Sequence, residues 1–258
     1  MTKISLLGKV ALITGASSGI GRATSILFSN LGANLALCGR NAENLNETAE
    51  QCRQNDVQVL TLQGDVTNTD SINMFMDKTL NKFNRLDSLV NNAGRIATGT
   101  IETTKLCDLD DMMDINLRSL FQLTQLAVPH LTKTQGNVVN ISSICGSKSF
   151  PGVLAYCVSK AAVDQFTKCV ALELAEKKIR VNCVNPGTIV TELHKRGGLN
   201  EQAYREFLEK AKLAHPLGRP GMADEIAQTI AFLASDASSF ITGVTVPVDG
   251  GRHAVSPR

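Results

Sequence analysis

The sequence lacks tryptophan altogether and contains no long hydrophobic run. Its apolar runs, such as Val10–Ile13 and Ala231–Ala234, fall far short of the roughly 20 residues that a membrane-spanning helix needs. The N-terminus also lacks the apolar stretch of about 7–15 residues that marks a secretory signal. We therefore expect a cytoplasmic protein that does not insert into membranes.

Neither sign of charge dominates the chain, whose formal net charge is +2. The charged residues are scattered, so no basic surface predicts a nucleic-acid partner. The seven cysteines form no Cys-x2-Cys pair, which argues against a zinc site and a disulfide framework. We expect reduced thiols and no bound metal. Four histidines are predicted to be structural or solvated: His130, His194, His215 and His253.

What the chain does have is a regular alternation of strand and helix patterns. The predicted strands are Lys9–Thr14, Asn34–Cys38, Val57–Leu62, Leu86–Val90, Asn137–Ile141, Arg180–Val184 and Val244–Pro247. Between them lie a helix ending at Leu31 and further helices over Ala42–Asn55, Ser71–Phe83, Leu109–Leu131, Ala155–Lys177, Glu201–Leu213 and Ala223–Ser235. This order predicts an α/β fold, a Rossmann-type doubly wound parallel sheet of about seven strands with helices on both faces.

No Pro/Ser-rich linker divides the chain, so residues 1–258 are predicted to form one domain. The least regular stretch is residues 186–220, which follows the sixth predicted strand. In sheets of this kind, ligands bind beyond the carboxyl ends of the strands. Residues 186–220 are therefore a candidate substrate loop.

A glycine-rich turn follows the first predicted strand and opens the first helix. Such glycines let the backbone approach a pyrophosphate, and the helix N-terminus offers unpaired N–H groups. The spacing is Gly-x3-Gly-x-Gly, unlike the more usual Gly-x-Gly-x2-Gly, so the turn alone leaves a purely structural role open. A dinucleotide-binding role would place these residues against the cofactor: Gly15, Ser17, Ser18, Gly19, Ile20 and Gly21.

The end of the second predicted strand bears on the choice of cofactor. NAD-binding proteins usually have an acidic residue there, which holds the adenosine ribose 2′-hydroxyl. This chain instead has Arg40 and Asn41, and an arginine can form charge-assisted hydrogen bonds to a 2′-phosphate. We therefore expect NADP(H) as the preferred cofactor, with NAD(H) as the alternative. Ser17 and Arg22 are further candidates to contact the phosphate.

Tyr156 and Lys160 form a Tyr-x3-Lys pair on a predicted helix. Residues four apart lie on one helix face. Because an ammonium group favours a nearby phenolate, we expect Lys160 to lower the pKa of Tyr156 from its ordinary value of about 10. A tyrosine tuned in this way can protonate a carbonyl oxygen or take a proton from an alcohol.

Together, these motifs resemble the short-chain dehydrogenase/reductase family, in its small single-domain form. The similarity runs from about Leu7 to Gly251. Its other landmarks are Asp65-Val66, Asn91-Asn92-Ala93-Gly94, Asn116, Ser142-Ser143, Pro186-Gly187 and Asp249-Gly250-Gly251.

The resemblance implies four catalytic residues. Tyr156 is the acid/base, Lys160 also binds the nicotinamide ribose, and Asn116 holds a water in a proton relay. Ser143 hydrogen-bonds the reacting oxygen. Ser142 competes for that role, but the family's usual spacing of 13 residues to the tyrosine favours Ser143.

The resemblance also implies cofactor contacts beyond the glycine-rich turn. Asp65 and Val66 match the pair that touches the adenine ring. The segment that passes beside the cofactor contributes Asn92, Ala93 and Gly94. The segment that holds the nicotinamide carboxamide contributes Pro186, Gly187, Ile189 and Thr191.

The implied reaction is hydride transfer between the nicotinamide and a ketone or secondary alcohol. Apolar residues after Ser143 and in the later loop predict a lipophilic substrate, either steroid-like, isoprenoid or aliphatic. These residues are Ile144, Cys145, Phe150, Pro151, Gly152, Val153, Leu154, Leu193, Leu199, Phe207 and Leu208.

Three alternatives to this function remain open. A 3-oxoacyl-carrier-protein reductase is disfavoured because the stretch Lys133–Gly136 is only weakly basic. A sugar or polyol dehydrogenase is disfavoured by the apolar residues. A non-catalytic, cofactor-binding regulatory protein would not need the complete Asn/Ser/Tyr/Lys set.

Members of this family are usually tetramers or dimers, built through the helices that correspond to Leu109–Leu131 and Ala155–Lys177. The second of these is apolar on more than one side, which suits burial against both the sheet and a partner. We therefore expect a homotetramer or homodimer. The polar tail, His253–Arg258, is assigned no role.

Overall fold

The computed structural model describes residues 4–255 and is built around a seven-stranded sheet. Its strands are β1 (Val10–Thr14), β2 (Asn34–Gly39), β3 (Val59–Gln63), β4 (Ser88–Asn91), β5 (Asn137–Ile141), β6 (Arg180–Pro186) and β7 (Thr245–Val248). All pairings are parallel, in the order β3-β2-β1-β4-β5-β6-β7. The strand order reverses between β1 and β4, where sheets of this type bind ligands. The predicted fold class is confirmed.

Helices pack on both faces of the sheet. They are α1 (Gly19–Asn30), α2 (Ala42–Arg53), α3 (Thr69–Phe83), α4 (Leu106–Met113), α5 (Ser119–Thr134), α6 (Leu154–Leu174), α7 (Leu193–Arg196), α8 (Glu201–Ala214) and α9 (Ala223–Ala234). One apolar cluster joins the sheet to α1, α2 and α9, and a second joins it to α3, α5 and α6. Successive strand residues point to opposite faces, so Ile13 packs in the first cluster and Leu12 in the second.

The predicted helix Leu109–Leu131 differs most from the structure. It is divided into α4, a π-helical segment over Asp114–Arg118, and α5. A π-helical turn interrupts the regular α-helical register, and such turns are frequent at functional sites. The interruption here contains Asn116, which is only 1% exposed.

The segment 186–220 is more regular than expected. The structure contains the predicted helix, α8, and adds the short helix α7, which was not predicted. Asn200 caps α8 by accepting a hydrogen bond from Ala203 N at 2.9 Å. Tyr204 of α8 donates its hydroxyl proton to Thr191 O at 3.0 Å, which fastens the helix to the start of the segment.

In the part of the chain between residues 4 and 255, no helix is both long and apolar enough to cross a bilayer.

Candidate active site

A cavity of about 370 Å³ lies at the carboxyl ends of the central strands. The residues predicted to contact the cofactor all line it, apart from Gly21 and Arg22. Of the four predicted catalytic residues, Ser143, Tyr156 and Lys160 line the cavity, whereas Asn116 does not. The sequence analysis assigned no place in the cavity to several further lining residues: Gly39, Asn44, Gly64, Arg95, Ile115, Ile141, Glu192, His194 and Arg196.

The glycine-rich turn forms a tight cradle at one end of the cavity. Gly15 has a φ of +65°, and a Cβ added there would lie 2.8 Å from Asn92 Nδ2. A Cβ on Gly21 would clash with Gly15 O, so Gly21 packs α1 against the turn. Ser18 is the N-cap of α1, yet its side chain accepts no hydrogen bond from the helix amides. A close backbone approach beside a helix N-terminus fits the pyrophosphate of a dinucleotide cofactor.

The residues that follow β4 are hydrogen-bonded to Thr14, the last residue of β1 and the neighbour of this cradle. Thr14 Oγ1 accepts hydrogen bonds from Asn92 N and Ala93 N, both at 3.0 Å. Asn92 Nδ2 donates in return to Thr14 O at 2.8 Å. These bonds fix the ends of β1 and β4 against each other, at the point where the strand order reverses.

Arg40 lies exposed in the cavity wall, close to Asp65. Its Nη1 is 3.5 Å from Asp65 Oδ2, and its side chain is 64% exposed. Partial burial would raise the pKa of Asp65, but hydrogen bonds from Thr67 and the charge of Arg40 lower it overall. Asn41 caps α2 by accepting from Asn44 N at 2.8 Å.

Arg22 does not reach the cavity. Its guanidinium donates to Thr48 Oγ1 at 2.9 Å and pairs with Glu47, both on α2. The expectation that Arg22 contacts a cofactor phosphate is therefore wrong, because the side chain joins α1 to α2.

Tyr156 and Lys160 lie buried on one face of α6, with exposures of 6% and 5%. Lys160 Nζ lies 5.7 Å from the centroid of the Tyr156 ring and donates to Ile141 O at 2.8 Å. The lysine thus spans from α6 to the end of β5, and the tyrosine hydroxyl shares the cavity with Ser143.

Burial controls the protonation of both groups. It raises the pKa of Tyr156 above its ordinary value, with nearby Cys145 contributing, while a hydrogen bond from Ser143 works in the opposite direction. The sequence-based expectation of a lowered tyrosine pKa therefore differs from the structure. Burial also lowers the pKa of Lys160 to about 8, against the opposing charges of Cys183, Asp164 and Cys145.

The two neighbouring serines have different surroundings. Ser142 donates its hydroxyl proton to Lys160 O at 3.0 Å, so its side chain ties β5 to α6. Ser143 Oγ accepts a hydrogen bond from Cys145 N at 3.2 Å and faces Tyr156. This geometry favours Ser143 as the serine beside the reacting oxygen.

Asn116 lies one layer behind the cavity wall. Its amide donates to Arg95 O and Ser159 Oγ, each at 3.0 Å, and its Oδ1 accepts from Arg95 N at 3.1 Å. A Cβ on Gly94 would lie 2.9 Å from that oxygen and 3.6 Å from Lys160 Nζ. Asn116 therefore holds the segment that follows β4 beside Lys160, with its amide nitrogen donating to two partners.

A buried polar network stands behind the catalytic wall, and the sequence analysis missed it. Asn185 Nδ2 donates to Ser143 O at 2.9 Å and to both Asp164 oxygens, at 3.0 and 2.9 Å. Burial raises the pKa of Asp164. Because Asp164 lies one helical turn after Lys160, its charge also favours the protonated lysine.

The substrate side of the cavity differs from expectation. Of the predicted apolar lining, only Leu193 belongs to the cavity wall. His194, predicted to be structural or solvated, also lines it and packs against Phe207 with tilted rings, whose centroids are 4.3 Å apart. Burial lowers the pKa of His194 to about 4, assisted by the charge of Arg252. The imidazole is therefore neutral at neutral pH.

The fold and this cavity define the class of protein: a Rossmann-type, dinucleotide-binding oxidoreductase with a tyrosine acid/base candidate. A family model described as enoyl-(acyl carrier protein) reductase matches residues 15–253. The chain belongs to the short-chain dehydrogenase/reductase family. It is an NAD(P)-dependent enzyme that acts on CH–OH or C=O groups.

Among curated relatives, a 3-oxoacyl-[acyl-carrier-protein] reductase from Thermotoga maritima is 41% identical over 247 residues, which span 95% of this chain and 98% of the relative. The L-fucose dehydrogenase of Mus musculus is 35% identical, over 95% of this chain and 89% of its own length.

Solved structures are similar over nearly the whole chain. A short-chain dehydrogenase/reductase of unknown function from Caenorhabditis elegans, determined with cofactor, has a TM-score of 0.92 and 36% identity, over 97% of both chains. Carveol dehydrogenase from Mycobacterium avium in complex with NAD has a TM-score of 0.91 and 29% identity, covering 97% of this chain and 99% of that one.

Proposed function

We propose that the protein is an NADP(H)-dependent carbonyl reductase that interconverts a lipophilic ketone and its secondary alcohol. The observation that carries this proposal is the position of Tyr156, Ser143 and Lys160 in one wall of the cavity that also contains the glycine-rich turn and Arg40. The segment 186–220, which contributes Leu193 and His194 to the same cavity, is the proposed substrate loop.

The dinucleotide, when bound, supplies the hydride. The Tyr156 hydroxyl donates a proton to the ketone oxygen, and the Ser143 hydroxyl donates a hydrogen bond to the same atom. Lys160, whose pKa of about 8 leaves it mostly protonated at neutral pH, stabilises the phenolate that proton transfer leaves behind. Asn116 keeps the segment around Gly94 in place beside the lysine.

Replacing Tyr156 with Phe tests the mechanism. We expect ketone reduction, followed by NADPH absorbance, to fall by roughly 10²–10⁴-fold, because the proton donor is lost. The affinity for NADPH, measured by its fluorescence, should change little. Retained turnover in the variant would rule out Tyr156 as the acid/base.

The substrate panel should contain steroid, isoprenoid and aliphatic ketones. The Thermotoga maritima relative makes a 3-oxoacyl thioester on a carrier protein the second candidate, and the mouse relative adds L-fucose in the oxidative direction. A kcat/KM that is highest for the carrier-bound thioester or for L-fucose would overturn the lipophilic-ketone proposal and leave the oxidoreductase chemistry intact.

The preference for NADP(H) rests on Arg40 and on the absence of a carboxylate at the end of β2. Replacing Arg40 with Asp should weaken NADPH binding by roughly ten- to hundred-fold and leave NADH binding equal or improved, because a carboxylate repels the 2′-phosphate. Binding titrations with both cofactors measure this. An unchanged ratio of the two dissociation constants would contradict the assignment.

We also propose a homo-oligomer, either a tetramer or a dimer, and a cytoplasmic location. Exposed apolar side chains on α5 and α6 support the first proposal: Phe121 is 52% exposed, Val158 46% and Leu172 80%. The free thiols of Cys107 and Cys169 support the second, because exposed cysteines persist in reducing compartments.

A further inference from the structure

Arg196 lies at the cofactor end of the cavity, although it belongs to the proposed substrate loop. It is the last residue of α7 and lines the same cavity as the glycine-rich turn. Its Nη1 donates a hydrogen bond to Ser18 Oγ at 3.1 Å. The contact joins two residues that are 178 positions apart in the sequence.

Most N–H groups of the Arg196 guanidinium are available to bind a ligand. Among residues 4–255, no carboxylate forms an ion pair with it, and one of its five N–H groups is used on Ser18. The neighbouring Lys195, by contrast, pairs with Glu192 and Glu201, at 3.6 and 2.7 Å. A planar guanidinium with free donors suits a phosphate oxygen.

The surroundings of Arg196 favour an anion at this point. Ser18 is the N-cap of α1, a helix of 12 residues, and its side chain accepts no hydrogen bond from the first-turn amides. The start of the substrate loop packs tightly on the same turn, since a Cβ added to Gly19 would lie 3.1 Å from Thr191 Cγ2. The guanidinium and the helix N-terminus therefore present positive charge to one place.

We propose that Arg196 binds the pyrophosphate of the dinucleotide cofactor together with the glycine-rich turn. This inference rests on the proposed function. It assigns separate tasks to two arginines: Arg40 contacts a phosphate found only in NADP(H), and Arg196 contacts one common to both cofactors. Because α7 also carries Leu193 and His194, the bound pyrophosphate holds the substrate side of the cavity in place.

The test compares Arg196→Met and Arg196→Lys with wild type. Four ligands separate the contributions: NADPH, NADH, ADP-ribose and 2′-AMP, which lacks the pyrophosphate. We expect Arg196→Met to weaken the first three by roughly ten- to hundred-fold and to leave 2′-AMP unchanged. Arg196→Lys should recover part of the loss, because it keeps the charge but not the planar fork. Arg40→Asp should weaken only NADPH and 2′-AMP.

Arg205→Met is the matched control, because Arg205 is an exposed arginine on the next helix and its replacement removes the same charge. Equal loss in this control, or an equal loss of 2′-AMP affinity in Arg196→Met, would show a general charge effect and overturn the inference. If Arg196→Met turns over substrate at the wild-type rate and binds the dinucleotides as tightly as wild type, this inference is overturned and the proposed function still stands. Wild-type protein that binds none of the dinucleotides would overturn the proposed function with it.

Discussion

At the scale of single residues, Lys160 combines a chemical role with an unfavourable location. Lys160 is almost wholly buried, and its ammonium donates a hydrogen bond to Ile141 O. Burial lowers its pKa from 10.5 to about 8, so keeping the charge inside the folded protein costs free energy. Function retains a residue that stability alone would not.

Lys160→Met should therefore increase the free energy of unfolding at pH 7, by roughly 1–3 kcal/mol, while ketone reduction is lost. Below pH 8 the lysine is protonated in both the folded and the unfolded chain, and the cost of burial is fully present. As the pH rises from about 8 towards 10.5, the folded protein gives up its proton first, so the cost and the variant's advantage disappear.

Urea unfolding of both proteins at pH 7 and at pH 10.5 measures this difference. A variant that is less stable than wild type at pH 7, or whose advantage grows with pH, would contradict the assignment of the buried charge.

Two single residues lie where the sequence motifs did not predict them. The sequence predicts Arg22 as a phosphate contact and His194 as structural or solvated, and the structure differs at both positions: Arg22 turns to α2, and His194 lies in the cavity wall. Side-chain direction and burial depend on which helix packs alongside, and a local pattern does not contain that information.

At the scale of elements, Asp87 connects two strands below the cavity. Asp87 is 3% exposed, and its Oδ2 accepts hydrogen bonds from Val10 N and from Arg85 Nε, both at 2.8 Å. Arg85 Nη2 donates to the second carboxylate oxygen at 2.7 Å. The carboxylate thus joins the start of β1 to the segment that enters β4, where backbone pairing alone leaves Val10 N without a partner.

Asp87→Ala should lower the free energy of unfolding by about 3 kcal/mol, because it leaves a buried amide and one face of Arg85 without an acceptor. Asp87→Asn should cost less, since its amide oxygen still accepts from Val10 N. Denaturant titration measures both, with the exposed Asp110→Ala as control, expected within about 0.5 kcal/mol of wild type. A loss in Asp87→Ala no larger than in the control would refute this role.

The π-helical segment Asp114–Arg118 is an element that the apolar pattern could not predict. Periodicity identified helix on both sides of it, but an interrupted register leaves little trace in a pattern read at 3.6 residues per turn. The interruption allows Asn116 to reach Arg95 and Ser159 on other elements. Those contacts exist only in the assembled fold.

At the scale of the whole molecule, the exposed faces of α5 and α6 carry apolar side chains that no residue between 4 and 255 covers. Phe121 packs on Phe166, with centroids 5.6 Å apart, and both helices extend along one side of the sheet. We take this face as the contact with a second copy of the chain.

Leu172→Glu should shift the oligomer towards smaller species, because a charge would be buried in the contact. Light scattering coupled to size exclusion measures the mass. Leu213→Glu is the control, since Leu213 is 92% exposed on α8, and it should leave the mass unchanged. A wild-type protein that is already monomeric, or a variant of unchanged mass, would contradict the oligomer proposal.

The sequence by itself determined the order of strands and helices and most of the cofactor cavity. Apolar periodicity is local, and motifs such as Gly15–Gly21 and Tyr156–Lys160 act over a few residues on one element. Only the tertiary structure decided the raised pKa of Tyr156, the entry of His194 into the cavity and the contact of Arg196 with Ser18. Each of these depends on burial or on contacts between residues far apart in the chain, and both arise only when the elements pack together.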